Sequence, residues 1–193
     1  MSKGKRVGVL ALQGDFREHK QMLEKVGAEA VEVRLPAHLE GVGGLIVPGG
    51  ESTTIGKLAR EYGLDEAVAE RYQRGELAIW GTCAGAIWIA REILDYQQPH
   101  LGIMDIAVRR NAFGRQVDSF EANLEIMGLD SPFHAIFIRA PEIVRVGEGV
   151  EVRSSYQGRI VFAAAAGLWA TSFHPELTGD TRLHSEFVGE LAK

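Results

Sequence analysis

In the first half of this chain, short and almost wholly apolar runs alternate with stretches where apolar residues return every three or four positions. Residues 6–12, RVGVLAL, are β-branched and nearly free of polar side chains. Such a run suits a strand buried on both faces, as in a parallel sheet. QGD ends it. Phe16, His19, Met22, Leu23 and Val26 then recur at helical spacing up to Gly27, a helix stop. AEAVEV (28–33) predicts a second strand, and GGLIVPGG (43–50) a third that ends in a Pro-Gly-Gly turn. Residues 51–75 predict one broken helix or two short ones, with Leu64, Val68 and Tyr72 on a common face. LAIW (77–80) predicts a fourth strand, and AGAIWIAREIL (84–94) an apolar helix that follows it directly.

Strands alternating with helices predict right-handed crossovers and a doubly wound sheet. The second half changes character. Short strand-like runs fall in 103–111, 116–128, 133–141, 143–167 and 168–176, with turn residues between them. Glu148-Gly149 and Gln157-Gly158 are hairpin-turn candidates. Residues 181–192 close the chain as an amphipathic helix. With no linker, repeat or low-complexity tract, residues 1–193 read as a single domain. The expected fold class is α/β: a three-layer open sheet, mostly parallel, with antiparallel additions in the second half. The four alanines at 163–166 are unusual in a strand, and the sequence assigns them no role.

Charge narrows the partners. There are 21 basic and 26 acidic residues, so the formal net charge is 21 − 26 = −5. The basic residues are scattered, so nothing pulls the chain generally toward nucleic acid or an anionic membrane. No apolar run approaches the ~18 residues of a membrane span, and the start of the chain lacks a secretory apolar region. One cysteine cannot form an internal disulfide, and a reducing cytoplasm is the expected compartment. The sequence calls for no metal and no cofactor.

That cysteine, Cys83, sits in GTCAG at the predicted strand-to-helix junction. In a nucleophile elbow the reactive residue occupies a sharp, strained turn, and its neighbours must be small. The following helix N-terminus favours negative charge on the sulfur, and the Ala84 N–H would face an oxyanion formed there. A cysteine nucleophile needs a base held by a third group. Among six histidines, His19 and His184 read as solvated helix positions, His38 as surface, and His100 and His134 as loop residues. His174, in ATSFHPEL, reads as the end of a strand. In an extended segment it would point to the same side as Glu176, which could fix its tautomer. The loop after the third strand carries Gly49 and Gly50, whose N–H groups could complete an oxyanion hole. By spacing alone, Ser52 and the neighbouring threonines read as helix caps.

These motifs resemble those of class I (triad) glutamine amidotransferases. More narrowly, LALQGDFREH, PGGESTTI, GTCAGAI, RRNAFGRQVDSFEANL, FIRAPEI and SFHPELT resemble the glutaminase subunit of pyridoxal 5′-phosphate synthase, over essentially the whole chain. The resemblance implies a flavodoxin-like glutamine amidotransferase fold. It implies Cys83 as nucleophile, His174 as base and acid, and Glu176 as orienter. It places glutamine contacts on Gly50, Glu51, Ser52, Arg110, Ile138 and Arg139, with Arg110 rather than Arg109 facing the pocket. It moves Ser52 from cap to substrate contact. The implied reaction is glutamine hydrolysis through a cysteine thioester. The implied partner is a (β/α)8-barrel synthase subunit that receives the ammonia. The resemblance further implies twelve glutaminases around a dodecameric synthase, with the glutaminase poorly active until docked.

Two other readings stay open on sequence. One is a DJ-1/PfpI-like cysteine hydrolase or redox protein, whose acidic partner would come from near the first strand, where Asp15 and Glu18 stand. The other is a non-catalytic docking subunit that keeps the fold.

Overall fold

A computed structural model describes residues 5–94, 96–110, 112 and 119–191. Asn111 and residues 113–118 of the NAFGRQVDSFE motif lie outside the described residues. The first half follows the predicted alternation. It runs β1 (Arg6–Leu10), α1 (Phe16–Lys25), β2 (Glu29–Val33), β3 (Gly44–Val47), α2 (Ser52–Glu61), α3 (Leu64–Gln73), β4 (Ala78–Thr82) and α4 (Ala84–Ile89). The 51–75 stretch is two helices. Gly63, at φ 69°, makes the left-handed break between them.

The helix expected over 84–94 is shorter than its apolar pattern. It stops at Ile89, and Ala90–Ile93 form β5. The cause is tertiary. The incoming segment donates from Leu101 N to Trp88 O (2.7 Å) and from Ile103 N to Ile89 O (3.0 Å), so it captures carbonyls that helix continuation would need. β5 then pairs in parallel with β6 (Met104–Arg109).

The remaining strands are β7 (Ser119–Leu124), β8 (Phe133–Ile138), β9 (Glu142–Val146), β10 (Glu151–Tyr156), β11 (Arg159–Ala165) and β12 (Leu168–Thr171), followed by α5 (Arg182–Glu190). Gln157-Gly158 forms the expected tight hairpin, with φ 48° and 77° and Tyr156 opposite Arg159. Glu148-Gly149 does not, because β9 and β10 each pair with β11 rather than with one another.

The main sheet runs β2-β1-β3-β4-β12-β11-β9-β6-β5, with β10 also on β11. Its β2-to-β12 portion is parallel, and β11 turns antiparallel to β12. β7 and β8 form a separate antiparallel ribbon. Successive residues of the parallel strands serve opposite faces, as period two demands. Leu45 and Val47 join the core under α2, α3 and α4, while Ile46 joins the core under α1, α5 and the ribbon. The alanine run acquires a packing role here. Ala163 faces the first core, and Ala164 the second, where it lies opposite Trp169 on β12. Small residues on β11 leave room for Trp169, whose ring meets Trp80 (5.4 Å between centroids), Phe162 (5.3 Å) and Phe187 (5.5 Å).

Trp169→Ala is therefore expected to cost about 3–5 kcal/mol of stability, read as a lower urea midpoint. A midpoint within error of wild type would show that this cluster does not anchor the face.

Candidate active site

The elbow is built by close backbone packing. A Cβ on Gly85 would overlap the Val47 carbonyl, and one on Gly81 would overlap the Gly85 backbone. Only glycine lets β4 and α4 approach β3 this closely. Cys83, between them, takes φ 48° and ψ −104°, a conformation costly for a side-chain-bearing residue. Its N–H donates to Thr171 O on the adjacent β12 (2.8 Å), which fixes the turn to the sheet. The residue is only 7% exposed, and its Sγ lies 3.7 Å from Ile138 O.

Beyond β12 the chain reaches His174. The segment is not the extended strand end expected from sequence: β12 stops at Thr171, and Pro175–Leu177 form a 3-10 turn. The turn still brings His174 and Glu176 together, with Nδ1 2.8 Å from Oε1. Asp15 Oδ2 approaches the same nitrogen at 3.4 Å. Gly49 packs against the His174 ring so closely that a Cβ there would overlap it. Burial disfavours the charged imidazolium, but contacts with Asp15, Cys83 and Glu176 outweigh this and push His174 up to about 12. Burial also raises Glu176, opposed by its bond to His174. The three neighbours thus favour the charged imidazole at this 2.8 Å contact.

These groups open on a cavity of about 350 Å³. Of the residues singled out in sequence, Cys83, Ala84, Gly50, Glu51, Ser52, Arg110, Ile138, Arg139 and His174 line it. Gly49 stands behind the imidazole, and Glu176 is buried beneath it. Arg110 faces the cavity, whereas Arg109 turns away to Glu142 (3.4 Å). The cap of α2 is Glu51 rather than Ser52: its carboxylate accepts from Thr54 N (2.9 Å) and Thr54 Oγ1 (3.0 Å). Burial opposes ionisation of Glu51, but these bonds and Arg110 hold it below the ordinary carboxylate range.

The sequence reading missed several supports. Gln98 Oε1 accepts from Ser52 Oγ (3.1 Å) and Arg110 Nη1 (2.9 Å), and Tyr96 lies 4.7 Å beneath the guanidinium. Gln13 Oε1 accepts from the Glu51 N–H (2.6 Å). His19 and His184, expected in solvent, are fully buried behind Glu176. Their place on the apolar faces of α1 and α5, beside Met22 and Phe187, was the available signal.

Family comparison decides among the remaining readings. Residues 9–193 match the model of the SNO glutamine amidotransferase family. The chain belongs to that family. It is 64% identical over 187 residues to "Pyridoxal 5′-phosphate synthase subunit PdxT" of a Thermus thermophilus strain, covering 96% of this chain and 97% of the relative. A protein of the same name from Pelotomaculum thermopropionicum is 55% identical, covering 97% and 96%. A crystal structure titled as a glutamine amidotransferase superposes with TM-score 0.94 at 58% identity, over 97% of this chain and 99% of that one. The PurLQS structure from Thermotoga maritima, at 18% identity and TM-score 0.69, shares the fold (98% and 96% covered). The family is that of the glutaminase subunit of pyridoxal 5′-phosphate synthase, and the chain is a glutaminase of this type. The DJ-1/PfpI-like alternative is not favoured. Among the described residues, Asp15, His174 and Glu176 form a group with metal-ligand spacing, but Oε1 and Nδ1 are already committed to each other.

Burial holds His184 down to about 3 and lowers His19 as well. Unfolded histidine takes up a proton near pH ~6.5. Below that pH the unfolded chain binds protons that the folded chain refuses, so stability is full above it and falls with acid. His174 is raised, so its contribution is lost on the alkaline side instead. His184→Leu is expected to make the fall between about pH 5 and 6.5 shallower, by up to about 1.4 kcal/mol per pH unit at its acid end. Urea titrations across that window measure the slope, and an unchanged slope would reject a neutral buried His184.

Proposed function

We propose that Cys83 attacks the side-chain amide carbon of L-glutamine, and that His174 and Glu176 run the proton transfers. The carrying observation is that Cys83, His174 and Arg110 line one cavity, with Glu176 2.8 Å behind the imidazole. Arg110 suits the substrate α-carboxylate, because a guanidinium pairs with it through two parallel bonds. Glu51 beside it offers the opposite charge for the α-ammonium, and Ser52 a hydroxyl. The Ile138 carbonyl, already 3.7 Å from Sγ, is the acceptor for the amide N–H2 of the substrate, and Arg139 closes that side.

In the first half-reaction the C–S bond forms and the carbonyl π electrons move to oxygen. The oxyanion is met by the N–H of Ala84 and by N–H groups of the Gly49–Gly50 turn. One such donor is worth ~2.7–4 kcal/mol in rate. The His174 imidazolium gives its proton to the departing nitrogen, the C–N bond breaks and ammonia leaves. Neutral His174 then takes a proton from water. Hydroxide adds to the thioester, the C–S bond breaks to regenerate the thiolate–imidazolium pair, and the γ-carboxylic acid gives its proton to water as glutamate leaves. Glu176 remains an anion throughout and stabilises the imidazolium, as in other triads.

Ammonia protonates in bulk water and loses its nucleophilicity. Shielded transfer to a synthase subunit follows from that chemistry and from the relatives' name. The proposed assembly is a (β/α)8-barrel synthase carrying twelve glutaminases on twelve synthase subunits, in the cytoplasm. A Gly49–Gly50 peptide that reorients on docking would explain activation by the partner.

Cys83→Ala is expected to abolish ammonia release from glutamine while leaving binding to the synthase subunit intact. Retained turnover would remove Cys83 as nucleophile. Arg110→Ala is expected to raise the glutamine KM about tenfold to a hundredfold, the worth of a lost charged hydrogen bond, with a smaller change in kcat. An unchanged KM in steady-state assays would take the α-carboxylate away from Arg110.

A further inference from the structure

Behind the triad, on the side away from the cavity, four polar groups from four elements meet inside the protein: His19 of α1, Thr82 at the end of β4, His184 of α5 and Glu176. All are buried, and the Glu176 side chain has no exposure. A buried carboxylate needs a donor at each oxygen or it loses its charge. Oε1 receives His174 Nδ1. Oε2 lies 3.2 Å from His19 Nε2, though not along a straight hydrogen bond, and has no other partner among the described residues. The same Nε2 is 3.1 Å from Thr82 Oγ1, and His19 Nδ1 is 3.0 Å from His184 Nε2.

A single atom settles where the protons lie. His184 Nδ1 is buried with no hydrogen-bond partner among the described residues. An unmatched N–H there would bear the full desolvation cost of a lone donor, whereas an unmatched lone pair is tolerated more readily. The proton of neutral His184 therefore sits on Nε2 and is donated to His19 Nδ1. His19, also neutral, must carry its own proton on Nε2, directed between Thr82 Oγ1 and Glu176 Oε2. The opposite arrangement would set a nitrogen lone pair against the Oε2 charge and strand an N–H on His184.

We infer that His19 is a positioning residue for the reaction: its Nε2–H, fixed by His184, holds the Glu176 carboxylate as an anion turned toward His174. A neutral donor suits this post. It steadies Oε2 without setting a second full positive charge beside the imidazolium, so the charge on Glu176 remains directed at His174. The groups around the His19 ring from every packed element are Thr82, His174, Glu176 and His184, with Trp80 at its edge (6.1 Å between centroids). His19 does not line the cavity. Its removal should act on turnover and not on glutamine affinity.

This inference rests on the glutaminase reading, and the experiment separates the two. Glutamine hydrolysis is measured with the synthase subunit present for wild type, His19→Leu and His19→Gln, across pH. His19→Leu is expected to lower kcat about tenfold to a hundredfold, the range for losing a group that orients a reacting partner. KM is expected to stay within about twofold. The alkaline limb of the kcat profile is expected to move to lower pH, because a less firmly held carboxylate stabilises the imidazolium less. His19→Gln, which keeps an N–H near the Nε2 position, is expected to recover most of the rate. Wild-type kcat and pH profile in a folded His19→Leu protein would overturn the inference. A wild type inert toward glutamine would instead overturn the glutaminase reading. Should His19→Leu not fold, ¹⁵N-histidine NMR of the wild type decides without activity. A proton on Nε2 of His19 and on Nε2 of His184 is expected, and a proton on His19 Nδ1 overturns the arrangement.

Discussion

Glycine-to-backbone contact at 81–85 is the constraint from which the site is assembled. Because Gly85 sits against the Val47 carbonyl and Gly81 against Gly85, the chain must leave β4 through a turn with no room for a side chain two residues before or two residues after Cys83. The unfavourable φ of 48° at that cysteine is held by the surrounding structure, including the bond from its N–H to Thr171 O on β12. The same bond ties the elbow to β12, the strand that leads to His174. Cys83 and His174 thus follow the ends of neighbouring strands, paired Thr82 to Thr171, and only the short segment 172–173 separates His174 from β12.

Charge in this region is sorted by depth. At the cavity wall lie groups built to be ionised: Arg110 over Tyr96, Glu51 among its Thr54 donors, and His174 against two carboxylates. One layer deeper, the Glu176 carboxylate faces the imidazoles of His174 and His19. Deeper still, His184 is kept neutral by burial alone. The gradient lets a fully buried anion survive without a buried lysine or arginine, whose fixed charge would compete with His174 for it.

Much of this could be read from residue order, and the exceptions have physical causes. The elbow was legible because small residues around a lone cysteine at a strand end have few structural explanations. The His174–Glu176 pair was legible for a partly mistaken reason, since a turn after Pro175, not an extended strand, brings the side chains together. The end of α4 was illegible: IWIA suits a buried helix and a buried strand equally, and carbonyl capture by residues 101–103 decides between them. His19 was misjudged because its neighbours Glu18 and Lys20 are charged, although its three-residue spacing from Phe16 and Met22 put it on the buried face of α1. Gln98 gave no local signal at all, since its importance comes only from what folds around it.

The insertion of β12 between β4 and β11 also has a consequence for biosynthesis. The centre of the sheet is completed by residues 168–171, close to the C-terminal end of the chain. On a ribosome, β1 to β4 emerge long before the strand that must lie beside them. Until then the elbow has neither its tether to Thr171 nor its imidazole. A nascent chain therefore presents Cys83 before β12 and His174, the groups that surround it in the folded protein, have been made.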